Sequence, residues 1–183
     1  MKETIKITSI LTVVCCACAF FLALVYSATI VKIELNDKEF EQRSILNLQP
    51  NALRSEKIII EGKSVLKLFN KNDQLVGYAF FAQGSGYQDK IKILGITDPD
   101  FKKFKGIEIL ESSETPGLGA KIKENFFKGQ FIGKTTSGDL ECIKLTPKKG
   151  NQIQAITAAT VSSKAVVDIL NRRVEELKGK LKN

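Results

Sequence analysis

Residues 157–181 read TAATVSSKAVVDILNRRVEELKGKL. From Ser162 to Leu181 the apolar side chains Ala165, Val166, Ile169, Leu170, Val174 and Leu177 recur at helical spacing, while Lys164, Arg172, Glu175, Glu176 and Lys178 fill the other face. That pattern predicts an amphipathic helix over Ser162–Leu181. Working back from it, the chain changes period. Lys57–Glu61, Ser64–Asn70, Gln74–Ala82, Ile91–Ile96, Gly106–Glu111 and Leu140–Leu145 are short β-rich runs. They are divided by turn signals at Glu61-Gly62, Lys71-Asn72-Asp73 and Asp98-Pro99-Asp100. One short helix is expected at Lys121–Phe127. Strands and helices do not alternate as βαβ units, so the fold class is α+β.

The small residues Thr157-Ala158-Ala159-Thr160-Val161-Ser162-Ser163 stand directly before the helix. Two uses fit them. Ser162 or Ser163 caps the helix, or the free N–H groups and positive dipole end hold an anion, with hydroxyls helping. A second tract, Glu114-Thr115-Pro116-Gly117-Leu118-Gly119, lies between a strand and the short helix. It is either an ordinary Pro/Gly turn or a place where two glycines let backbone approach a flat ligand.

The N-terminal part is of a different kind. No charged residue occurs between Lys6 and Lys32. The run Ile7–Val31 exceeds the roughly 20 residues needed to cross a bilayer. The expected organisation is a cytoplasmic tail (1–6), a transmembrane helix (7–31), a stalk (32–55) with a short helix around Asp37–Leu48, and an extracytoplasmic domain (56–183). Lys2 and Lys6 orient the tail inward by the positive-inside rule. A cleaved signal peptide, with Val25 and Ser27 as small cleavage-site residues, and lipidation at Cys15, which follows Val14, are the rival readings.

Composition narrows the chemistry. The chain has 183 residues, a net charge of +8 and no histidine. The lack of histidine removes the usual base of Ser-His-Asp and Cys-His machinery and the commonest metal ligand. Of four cysteines, Cys15, Cys16 and Cys18 lie in the apolar run and only Cys142 lies beyond it, so no thiol metal cluster is expected. The lysines are scattered without an arginine-rich stripe, which argues against nucleic acid.

Read with Gly77-Tyr78-Ala79-Phe80 and Gly86-Tyr87, the two tracts resemble the FMN-binding domain family. Its members include the G subunit of the Rnf ion-translocating electron transport complex and the C subunit of the sodium-translocating NADH:quinone oxidoreductase; the closer resemblance is to the Rnf G subunit. The order and spacing match from about Lys57 to Asn171. The resemblance implies FMN joined by a phosphoester to Thr160, with Thr157, Ala159, Ser162 and Ser163 around it. It implies that Glu114, Thr115, Gly117, Leu118 and Gly119 form the loop against the isoalloxazine, with Tyr87 and Lys144 as further contacts. No catalytic acid, base or nucleophile and no metal are expected, because the flavin itself carries the electrons. The implied partners are other membrane subunits of an electron transport complex, the lipid bilayer and a flavin-attaching enzyme. The implied location is the cell membrane, with the flavin domain outside the cytoplasm. Three positions depart from the family pattern: Ala158 replaces the motif glycine, Gln154 the upstream acid, and Ser112 a histidine. An FMN-free anchored binding protein and a free-standing extracytoplasmic flavin reductase are the alternatives.

Overall fold

A computed structural model describes residues 2–60 and 62–181. Helix α1 spans Lys2–Leu48 without a break. The stretch expected to open a stalk at residue 32 is therefore helical to Leu48. The reason is in the sequence: no glycine or proline occurs before Pro50, so nothing interrupts the backbone ladder until then. One 18-residue window of α1 has a mean hydropathy of 2.5, which suffices by length and composition to cross a bilayer. The hydroxyls of Thr8, Thr12 and Thr29 fold back onto the carbonyls of Thr4, Thr8 and Val25, which satisfies them within the helix.

A compact unit begins at Glu41. Its centre is an antiparallel meander of β1 (Arg54–Ile60), β2 (Lys63–Phe69), β3 (Leu75–Ser85), β4 (Lys90–Thr97) and β5 (Phe104–Ser112), paired in that order. The first turn is tight, since Ile60 pairs with Lys63 and Gly62 has φ +72°; Glu61 lies outside the described residues. The pleat sends alternate residues to opposite faces. Phe80, Ala82, Ile91 and Ile93 enter one core, while Ala79, Leu94 and Ile96 enter a second.

Each face is covered. On the first lie two 3-10 turns (Gly119–Lys123 and Gly129–Phe131), the short helix α2 (Asn125–Lys128) and the long helix α3 (Thr160–Leu181). Phe127, Phe131, Val166, Leu170, Val174 and Leu177 are their buried contributions. On the second face sit the last turns of α1, through Ser44, Ile45 and Leu48. Lys92 on β4 donates to Glu41 at 3.0 Å and to Glu111 at 3.1 Å. Burial pulls its ammonium down, but the two carboxylates outweigh this and hold it above the ordinary lysine value.

Two short strands, β6 (Glu141–Ile143) and β7 (Gln152–Gln154), pair in parallel just before α3. The architecture is thus α+β with helices on both faces of an antiparallel sheet.

Candidate functional site

The chain leading into α3 makes a short left-handed step. Ala158 has φ +65°, a conformation that costs a residue with a Cβ about 1–2 kcal/mol. The departure from glycine at this position therefore does not prevent the turn. Helix α3 then starts at Thr160, two residues earlier than the apolar period indicates. The first hydrogen bond of the helix start is Ser163 N–H to Ala159 O at 3.0 Å. The N–H groups of Thr160, Val161 and Ser162 precede it and are the orphan donors of a first turn.

Neither serine acts as the cap expected from local pattern. The Ser163 hydroxyl donates to Ala159 O at 2.9 Å and accepts from Ile156 N–H at 3.0 Å, closing the approach to the helix. The Ser162 hydroxyl donates to Glu114 Oε2 at 2.6 Å. Glu114 Oε1 in turn accepts the N–H groups of Tyr87 (2.7 Å) and Gln88 (3.2 Å). Thr115 adds a hydrogen bond to Gln88 Oε1 at 3.1 Å.

These contacts frame a cleft of about 400 Å³, lined by Tyr87, Glu114, Thr115, Leu118, Gly119 and the run Ala158–Ser162. That volume lies in the range of small-molecule sites. The rim is apolar and wet at once: Tyr87 is 69% exposed, Val161 57% and Leu118 45%. Large hydrophobic side chains left in water around a cleft are a recognition feature.

Of the residues singled out from sequence, Thr160, Ala159, Ser162, Glu114, Thr115, Leu118, Gly119 and Tyr87 line this cleft. Four do not. Ser163 is buried behind the helix start. Thr157 lines a neighbouring groove with Lys121, Phe126 and Gln154. Gly117 occupies the turn with φ +77°. Lys144 lies one residue past β6 and is exposed. Sequence reasoning omitted Val161 and Gln88. Val161 carried a legible signal, an apolar residue at a helix start among polar neighbours; Gln88 carried none.

Residues 86–175 match the FMN-binding domain. Over 182 residues the chain is 32% identical to the G subunit of the ion-translocating oxidoreductase complex of Methanosarcina acetivorans, covering 95% of this chain and 94% of that protein. The chain belongs to the FMN-binding domain family. A second relative, the G subunit of the Na(+)-translocating ferredoxin:NAD(+) oxidoreductase complex of Acetobacterium woodii, is 32% identical over 82% of this chain and 74% of its own. The proton-translocating counterpart of Clostridium ljungdahlii is 30% identical over 93% and 90%. Two solved structures share the fold. Shewanella oneidensis NqrC superposes with a TM-score of 0.59 at 20% identity, over 73% of both chains. The C subunit of the Na(+)-translocating NADH-quinone reductase of Parabacteroides distasonis gives 0.54 at 20% identity, over 70% of this chain and 62% of that one. The cleft lies within the family's matched segment, which places an FMN-binding domain around it.

Proposed function

We propose that this chain is a membrane-anchored electron-transfer subunit of an Rnf-type ion-translocating oxidoreductase complex, with FMN held as a phosphoester of Thr160. The observation that carries the proposal is the position of Thr160. It is the first residue of α3, half-buried, and it lines a cleft rimmed by exposed apolar side chains. Membership in a complex follows from the G-subunit relatives, each of which is part of one.

The residues fit such a group on their own chemistry. The N–H groups of the first turn of α3 and its positive dipole end favour a phosphate at Thr160. Small neighbours, Ala158 and Ala159, leave room for it. Tyr87, Leu118 and Val161 offer apolar surface to a flat ring and would shed water from it on binding. Thr115 braces the opposite loop through Gln88. Thr160 Oγ1 would carry the FMN phosphate as an ester, formed by a separate flavin-attaching enzyme. FMN, when bound, supplies the electron-carrying chemistry, and the protein orients and tunes it. Lys144, exposed beyond β6, stands outside the cleft and takes no part in this reading.

For the membrane, α1 supports an anchor over residues 7–31, with the tail 1–6 inside by its lysines and the flavin domain outside. Residues 32–48 then continue that helix beyond the apolar run.

Intact mass of the protein produced together with a flavin-attaching enzyme tests the proposal. A mass increase of one FMN that survives denaturation is expected. Unmodified mass with flavin lost on denaturation would show that attachment is not covalent.

A further inference from the structure

We infer that Glu114 is a positioning residue: its carboxylate latches the two walls of the cleft, holding Thr160 in register with Tyr87 and Leu118 without touching the flavin itself. What the latch is for rests on the assignment of Thr160 above.

Glu114 is 5% exposed. A carboxylate at that depth is stable only when its lone pairs are filled or a cation stands beside it. Among the described residues no lysine or arginine forms an ion pair with it. Its stabilisation comes from three donors on two distant segments. Tyr87 and Gln88 N–H groups bind Oε1, and the Ser162 hydroxyl, 48 residues away in sequence, binds Oε2. Ser162 sits in the same helical turn as Thr160. Fixing its side chain therefore fixes the start of α3 against the segment that carries Tyr87.

Two glycines show that space is built for this carboxylate. A Cβ on Gly119 would stand 2.6 Å from Glu114 Oε2 and 2.7 Å from Ser162 Oγ; one on Gly86 would overlap Oε1. Real Cβ atoms do not come so near, so a side chain at either position would drive the latch open. Gly119, expected from sequence to let backbone approach a flat ligand, has this reason of its own. Gly117 differs, because a Cβ there meets nothing within 4 Å and only its positive φ favours glycine.

The latch works by geometry. A glutamine at 114 can accept from Tyr87 and Gln88 through its carbonyl oxygen and donate to Ser162 Oγ through its amide. A residue that met the flavin by its charge would not be rescued in this way.

The test uses the full chain, made with and without the flavin-attaching enzyme, as wild type, Glu114→Ala, Glu114→Gln and Ser162→Ala. In flavin-free protein, amide exchange at Tyr87 and Gln88 is measured against that of Ile93 and Leu94. Covalent flavin on residue 160 is quantified separately. Glu114→Ala is expected to speed exchange at 87–88 by about tenfold or more and cut flavin attachment by a similar factor, with Ile93 and Leu94 unchanged. Glu114→Gln stays near wild type in both. If Glu114→Ala fails to fold, Ser162→Ala carries the test, with the same direction and a smaller change. Wild-type exchange at 87–88 in the alanine variants, or a glutamine variant as damaged as the alanine one, overturns the latch. If exchange behaves as expected but wild type bears no flavin at Thr160, the latch stands and the assignment of Thr160 falls.

Discussion

Ile169 occupies the space that a side chain on Gly84 would need. A Cβ built on Gly84 would lie 2.6 Å from Ile169 Cγ1 and 3.1 Å from its Cδ1. Helix α3 thus rests directly on the backbone of β3, and the height of the helix over the sheet fixes where its first turn opens. Gly84→Ala should lift or shear α3 and cost about 1–3 kcal/mol, as overpacking does. Chemical denaturation of the purified protein measures it. A midpoint equal to that of wild type would mean that Ile169 moves aside freely.

Ala158 carries a left-handed backbone that glycine adopts without penalty. Ala158→Gly should therefore stabilise the folded protein by a few tenths to about 1 kcal/mol, relief of strain being partly offset by the greater freedom of glycine in the unfolded chain. Flavin attachment should be retained. A destabilised glycine variant would show that the alanine methyl makes a contact worth more than the strain.

Arg173 is almost fully buried, with a side chain 2% exposed, and it reaches Phe81 O at 3.2 Å and Glu176 Oε2 at 2.9 Å. Glu176 also binds Lys63 on β2 at 3.0 Å, so this group ties α3 to the sheet. Burial alone would raise the Glu176 carboxyl, but the hydrogen bonds from Lys63 and Arg173 outweigh it and hold it below the ordinary range. A carboxyl depressed in the folded state contributes stability that is present above its unfolded value and lost as pH falls through its folded value. Stability should accordingly decline in that acid window. Glu176→Gln should weaken the decline and cost about 2 kcal/mol at neutral pH, by leaving a buried guanidinium without its counter-charge. Urea midpoints across pH 3–7, a span set by the ordinary carboxylate value, measure both; equal slopes for the two proteins would contradict it.

Much of the frame is legible in the sequence, and the gaps have local causes. The five strands follow from short β-rich runs, though their pairing order does not, and α3 follows from its apolar period. Strand β7 escapes because it is three residues long with one apolar side chain, Ile153. The start of α3 is displaced because Ser162 and Ser163 look like caps, whereas their hydroxyls are committed to Glu114 and Ile156. The Ser163 partner is seven residues back, but the Ser162 partner is 48 residues away and leaves no trace in local pattern. The same holds for Glu114, whose three donors come from positions 26 to 48 residues away. Residues 32–55 read as a mixed polar stalk with only a short helix around Asp37–Leu48, because polar composition suggests irregular chain. The absence of any helix breaker before Pro50 was the stronger signal.

Topology has a separate test. With the native cysteines replaced, a single cysteine at exposed Ser137 should react with an impermeant thiol reagent added to intact cells. A cysteine at Ser9 should resist it. Labelling of position 137 only after the cytoplasm is opened would reverse the orientation drawn from Lys2 and Lys6.

The site itself turns on Thr160 against Thr157, two hydroxyls three residues apart on opposite sides of the Ala158 turn. Thr160 faces the cleft, while Thr157 faces the neighbouring groove. The decisive measurement is in-gel flavin fluorescence under denaturing conditions, with peptide mass to locate the adduct, for wild type, Thr160→Ala and Thr157→Ala made with the flavin-attaching enzyme. Wild type and Thr157→Ala should fluoresce, with the adduct on Thr160, and Thr160→Ala should fold with wild-type amide exchange in β4 yet stay dark. A fluorescent Thr160→Ala, or an adduct mapped to Thr157, would contradict the assignment.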